Sequence, residues 1–115
     1  MQIDIKRAYE TPGKGDGLRI LVDRVWPRGV SKEDAKIDQW LKDIAPGTEL
    51  RKWFGHDPDK WSEFKKKYFK ELAGKKDLVN SLIDTAKKQH VTLVYAAKDE
   101  QYNNAVVLRD YLLKS

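Results

Sequence analysis

Residues 91–97, Val-Thr-Leu-Val-Tyr-Ala-Ala, constrain the fold more than any other stretch of this chain. A strand that lies against a core on one side only alternates apolar with polar side chains. A strand covered on both faces reads as a nearly continuous apolar run. Residues 91–97 are apolar almost throughout, so they predict a central strand with material on both sides of the sheet. That requirement points to an α/β architecture.

The remaining segments supply the parts. Ile3 and Ile5 alternate with Asp4 and Lys6, which predicts a half-buried first strand. Arg7 stands at its end. An inward guanidinium there needs an anion or a carbonyl, and the favoured reading is an arginine reaching back to solvent. Thr11-Pro12-Gly13-Lys14-Gly15-Asp16-Gly17 is rich in turn formers. Its spaced glycines are reminiscent of a phosphate loop, but such a loop opens a helix. This one opens a second strand at 18–23, so a hairpin or mobile loop is expected.

Ser31 followed by Glu33 and Asp34 marks the start of a short helix. Ile37, Trp40, Leu41 and Ile44 then fall at helical spacing before Ala45-Pro46-Gly47, with a short strand as the alternative. Leu50, Trp53 and Phe54 predict a short helix stopped by Gly55. Asp57-Pro58 pairs a capping carboxylate with proline at a helix start. Trp61, Phe64, Tyr68 and Leu72 form the buried stripe of the helix that follows, and Gly74 ends it. Leu78, Val79, Leu82, Ile83 and Ala86 pattern another helix, and 103–113 the last. The sum is a single α/β domain over 1–115. Its sheet is expected to be mixed and mostly parallel, covered by helices in a three-layer-like arrangement.

The net charge is +5 and the chain has no cysteine. Disulfides, thiolate catalysis and cysteine metal sites are therefore excluded. A basic balance favours an anionic partner, although 18 acidic residues are interspersed with 23 basic ones. An anionic small molecule is the preferred partner and nucleic acid the weaker one. A membrane partner is not expected, because no run approaches the roughly 18 apolar residues of a span. The first six residues lack the apolar run of a secretion signal, so the expected location is the cytoplasm.

Chemistry concentrates in two loops. Asp23-Arg24-Val25-Trp26-Pro27-Arg28-Gly29 follows the strand 18–23, and a polar loop up to Asn104 follows the strand 91–97. In an open α/β sheet, ligands sit beyond the carboxyl ends of the strands. If the two strands are parallel neighbours, Arg24, Arg28 and Lys98 converge near the start of the last helix. The planar fork of arginine takes two anion oxygens at once. Asn103 and Asn104 add hydrogen-bonding amides. Trp26 is either a stacking surface or a core residue. Asp23 is either free or paired with Arg24 or Arg28 in a structural ion pair. An anion-binding cleft for a phosphate, nucleotide or carboxylate is the leading reading.

No Ser-His-Asp order, Walker loop or metalloprotease helix is present. His56, beside the capping Asp57, is the one candidate general acid or base, and a turn role is favoured for it. His90 reads as structural. The two histidines share no ligand spacing, so no metal site is expected, and no motif calls for a cofactor. Two alternatives stand beside the cleft. One is a nucleic-acid-binding module using the lysines of the helix 58–73, which predicts affinity that falls with salt. The other is a protein-interaction module presenting tryptophans.

The stretches Leu21 to Gly29, Trp40-Leu41-Lys42-Asp43-Ile44-Ala45-Pro46 and Leu50 to Pro58 resemble the YeaO-like branch of the domain of unknown function 488 family. So does Leu93-Val94-Tyr95-Ala96-Ala97-Lys98-Asp99, with Asn103 behind it. The Trp-Pro-Arg-Gly and Trp-Phe-Gly-His-Asp motifs carry the likeness, which extends over nearly the whole chain. The resemblance implies a small cytoplasmic α/β protein. It also implies that other branches carry cysteine, histidine and arginine in the loop after the last strand, somewhat as sulfurtransferases and cysteine phosphatases do. Here that loop has Ala96 and Ala97 instead. An anion cradle without its nucleophile is the corresponding expectation.

Overall fold

The apolar run becomes the interior of a sheet. In the computed structural model, which describes residues 1–115, Val91–Tyr95 is a strand with all five residues buried. It is β4, and the others are β1 (Ile3–Arg7), β2 (Leu18–Leu21) and β3 (Gln39–Trp40). The order across the sheet is β1-β4-β2-β3, and every pairing is parallel. The last strand in the chain therefore lies between the first two.

That order rules out a hairpin between β1 and β2, one of the two expectations for residues 11–17. A hairpin needs antiparallel neighbours, and these two strands are parallel with β4 between them. Residues 8–17 instead cross over, with one 3₁₀ turn at Lys14–Asp16. Gly17 closes the crossover at φ 65°, where an added Cβ would lie 2.3 Å from the His90 carbonyl oxygen. Only glycine fits so close an approach.

The apolar residues from Ile37 to Ile44 do not form a helix. They form β3 and a 3₁₀ turn at Lys42–Ile44. The open edge of β2 captures their backbone: Asp38 N–H donates to Arg19 O at 2.9 Å and Leu41 N–H to Leu21 O at 2.9 Å. Tertiary pairing has overridden local spacing. The strand ends also move. Both β2 and β4 stop two residues before the expected 23 and 97. Ala96 N–H donates to the Asp23 carboxylate at 2.9 Å, and the Ala97 carbonyl accepts from Arg7 Nε at 2.9 Å. Arg7 thus rests on a carbonyl through its Nε while staying half-exposed.

Five helices complete the chain: α1 (Lys32–Ala35), α2 (Thr48–Phe54), α3 (Trp61–Ala73), α4 (Lys76–Lys88) and α5 (Asn104–Lys114). Their starts follow local chemistry. The Ser31 hydroxyl accepts from Asp34 N–H at 3.0 Å. The Asp57 carboxylate caps the 3₁₀ turn that leads into α3. The Asn103 amide oxygen caps α5.

Side chains of alternate strand residues divide the core. Ile20, Val22, Leu93 and Tyr95 join Phe54, Phe64, Tyr68, Leu82 and Leu108 in the larger cluster, so α2 to α5 cover one face. Leu21 and Val94 face the other way, toward Ala8, Trp26, Ile37 and Trp40. Trp26 and Trp40 meet edge to face there, with ring centres 5.4 Å apart. The two outer layers are unequal: four helices on one side, and one-turn α1 with two indoles on the other. Leu93 is fully buried at the centre, and truncating it to alanine would cost about 2–5 kcal/mol. No helix is long and apolar enough to cross a membrane.

Candidate functional site

Because all strands run in one direction, the segments that follow them emerge at one edge of the sheet. There they enclose a cavity of about 690 Å³, within the range of small-molecule sites. Tyr9 comes from beyond β1, Asp23 to Arg28 from beyond β2, Ala45 and Pro46 from beyond β3, and Ala96 to Asp99 from beyond β4. The two loops singled out in the sequence thus meet. Arg24, Trp26, Arg28, Lys98, Asn103 and Asn104 all line the cavity, and so does His56 from the segment after α2.

These residues differ in what their polar atoms already do. Asn103 is 1% exposed. Its oxygen accepts from Val106 N–H and its nitrogen donates to Asp99 O, so both ends are engaged within the fold. Asn104 Nδ2 donates to Val22 O at 3.0 Å and to Asp23 Oδ1 at 3.1 Å. Trp26 Nε1 donates to Val30 O at 2.6 Å, and its ring packs on Trp40. These three hold the cavity's shape.

The cations are less engaged. Arg24 Nη2 makes one long bond, 3.4 Å, to Ala45 O. Its Nε is buried with no hydrogen-bond partner. Arg28 and Lys98 are exposed and take no part in any ion pair. Tyr9 bridges the mouth, with its hydroxyl donating to the Arg28 carbonyl at 2.9 Å.

The cavity also holds residues that sequence reasoning left out or misjudged. Asp23 forms no ion pair with Arg24 or Arg28. Its carboxylate instead accepts from Ala96 N–H and from Asn104, tying the β2 loop to the β4 loop. Burial pushes its carboxyl pKa up. The bonds from Ala96 and Asn104, and the charges of Arg51 and His56, act against that rise without cancelling it. Asp99 lies on the low side, because the N–H groups of Tyr102 and Gln101 favour its ionised form. Arg51, on α2, lines the cavity beside Phe54. The two residues are three apart, which places them on one helix face, and that spacing was the available signal. No group of three or more His, Cys, Asp or Glu side chains stands close enough to hold a metal ion.

A family profile described as the inactive DUF488-N3 subclade matches residues 2–115. The chain is 46% identical to the uncharacterized protein YeaO of Escherichia coli K12, over 97% of both chains. It is 37% identical to the uncharacterized proteins Mb3100c of Mycobacterium bovis and Rv3073c of Mycobacterium tuberculosis, over 96% of this chain and 93% of theirs. No solved structure gives a significant match.

Proposed function

The chain belongs to the inactive DUF488-N3 subclade, and from that premise we propose that its cleft binds a small anionic molecule, a phosphate, nucleotide or carboxylate, without attacking it. The observation that carries this reading is Arg24. A guanidinium with a buried, unpartnered Nε leaves a desolvated donor unsatisfied, at a cost of about 1–3 kcal/mol. An anion beside it would remove that cost and add a charge-assisted bond. Arg28 and Lys98, on the same cavity and free of ion pairs, supply further positive charge. Phe54, Phe64 and Pro46 offer apolar walls to the body of a ligand.

The loop that would carry a nucleophile has Ala96 and Ala97. Its lack of a thiol is in keeping with a subclade described as inactive. His56 is the group positioned to move a proton if the cleft does chemistry. The nucleic-acid reading has less support. Lys67 and Lys60 lie 3.9 and 5.3 Å from the centre of the Trp53 ring, and Lys65 is paired with Asp110 at 3.0 Å. Lys60 and Lys67 thus already lie against that indole, and Lys65 against a carboxylate.

Calorimetric titration with inorganic phosphate at low ionic strength tests the proposal, together with crystals soaked in phosphate. Binding with density against Arg24, Arg28 and Lys98 is expected. Arg24→Gln should weaken binding at least about tenfold. No binding at millimolar phosphate, with an empty cleft in the crystals, would overturn it.

A further inference from the structure

We infer that Arg51 and His56 form a second anion subsite in the cleft, so that the ligand carries two anionic groups on one body, as a diphosphate does. The inference rests on the anion-site reading above and deepens it. Four formal cations line the cavity, Arg24, Arg28, Arg51 and Lys98, against two carboxylates, Asp23 and Asp99, an excess of two positive charges. None of the four is in an ion pair. Both carboxylates already accept N–H bonds, Asp99 from its own loop and Asp23 from Ala96 and Asn104 across the cleft.

The cations fall into two groups. Arg24 turns its guanidinium toward the Ala45 carbonyl and, with Arg28 and Lys98, comes from the loops after β2 and β4. Arg51 and His56 instead reach the cavity from α2 and the turn that ends it, with the His56 ring 6.1 Å from that of Phe54. Backbone geometry supports a built position for His56. It has φ 58° directly after Gly55 at φ 53°, an uncommon conformation for a residue with a side chain. That turn brings the imidazole onto the cavity from the end of α2. A lone phosphate would satisfy one group of cations, whereas a ligand with two anionic groups would satisfy both.

The experiment compares inorganic phosphate with inorganic pyrophosphate by calorimetry at fixed pH and ionic strength. The proteins are the unaltered chain, Arg51→Gln, His56→Gln, Arg51→Lys and Lys87→Gln, the last being a lysine outside the cavity. Pyrophosphate should bind at least about tenfold more tightly than phosphate. Arg51→Gln should reduce that preference about tenfold while changing phosphate affinity less than about twofold. His56→Gln should reduce it in the same direction, Arg51→Lys should restore part of it, and Lys87→Gln should leave it unchanged. An unaltered preference in Arg51→Gln, or equal loss of both anions, overturns the inference. If phosphate binds but pyrophosphate has no advantage, the inference fails and the anion site stands. If neither anion binds, both fall. Arg51 is exposed, and thermal denaturation of each variant confirms that the fold survives.

Discussion

Arg19 and Arg24 lie on the same strand and its following loop, yet they meet opposite surroundings. Arg19 is 3% exposed and fully matched. Its Nε and Nη2 donate to Ala35 O at 3.0 and 2.8 Å, and Nη1 donates to Asp16 Oδ2 at 2.6 Å. Asp16 in turn takes Lys6 Nζ and Gly13 N–H. Arg24, at the cleft, has one long bond and a buried orphan nitrogen. A buried guanidinium contributes to stability only when its donors are matched. The contrast separates an arginine whose donors the fold matches from one whose donors the fold leaves largely unmatched. Two glycines repeat the contrast. Gly17 is pressed against the His90 backbone, while Gly29, also at positive φ, has nothing within 4 Å of an added Cβ.

The largest expected effect sharpens the comparison at the glycines. Gly17→Ala should destabilise the chain by at least about 3 kcal/mol in urea unfolding, because strain and a backbone clash add. Gly29→Ala should cost about 1 kcal/mol, from φ alone. Equal losses would break the contrast. Next come the arginines. Arg19→Met should cost about 3 kcal/mol by orphaning its partners. Arg24→Met should change stability by less than about 1 kcal/mol, since it removes an unsatisfied donor, and should abolish phosphate binding. Similar losses of stability in the two variants would end the distinction.

The smallest effect is a pair of pH slopes of opposite sign. At Asp16, burial favours the neutral form but is outweighed by bonds from Gly13, Arg19 and Lys6, so its carboxyl is held below the ordinary value. Its contribution is present above the unfolded pKa and lost as pH falls through the folded one. At Asp23, burial dominates and the folded pKa is raised. Its contribution is complete below the unfolded pKa and is lost as pH rises through the folded one. Denaturation between about pH 2 and pH 6 should therefore show Asp16→Asn flattening the acid limb. Asp23→Asn should instead remove the decline just above the ordinary aspartate range. Slopes changed in the same direction would contradict the assignment.

Features governed by neighbours in the chain were legible before the structure. The apolar run at 91–95, the caps at Ser31 and Asp57, and the stop at Gly55 all depend on nearby residues; Asn103, expected to face a ligand, caps α5 instead. So did the notion that two polar loops after two apolar strands would meet. What escaped depended on distant partners. The edge of β2 decides the conformation of residues 38–41. The Ala97 carbonyl decides where Arg7 points. Ala96 and Asn104 decide what Asp23 binds. Arg51 was missed because its helix was read only through its apolar residues, Leu50, Trp53 and Phe54.

The position of β4 also bears on how the molecule assembles. The strand that pairs with both β1 and β2 is synthesised last among the four. Until residues 91–95 leave the ribosome, β1 and β2 have a vacant slot between them, and each exposes an unpaired edge. Sheet formation must then wait for a contact that closes most of the chain into a loop, which slows folding and leaves those edges open to other chains. The same insertion that brings the loops together at the cleft keeps the sheet from closing until the final quarter of the chain is available.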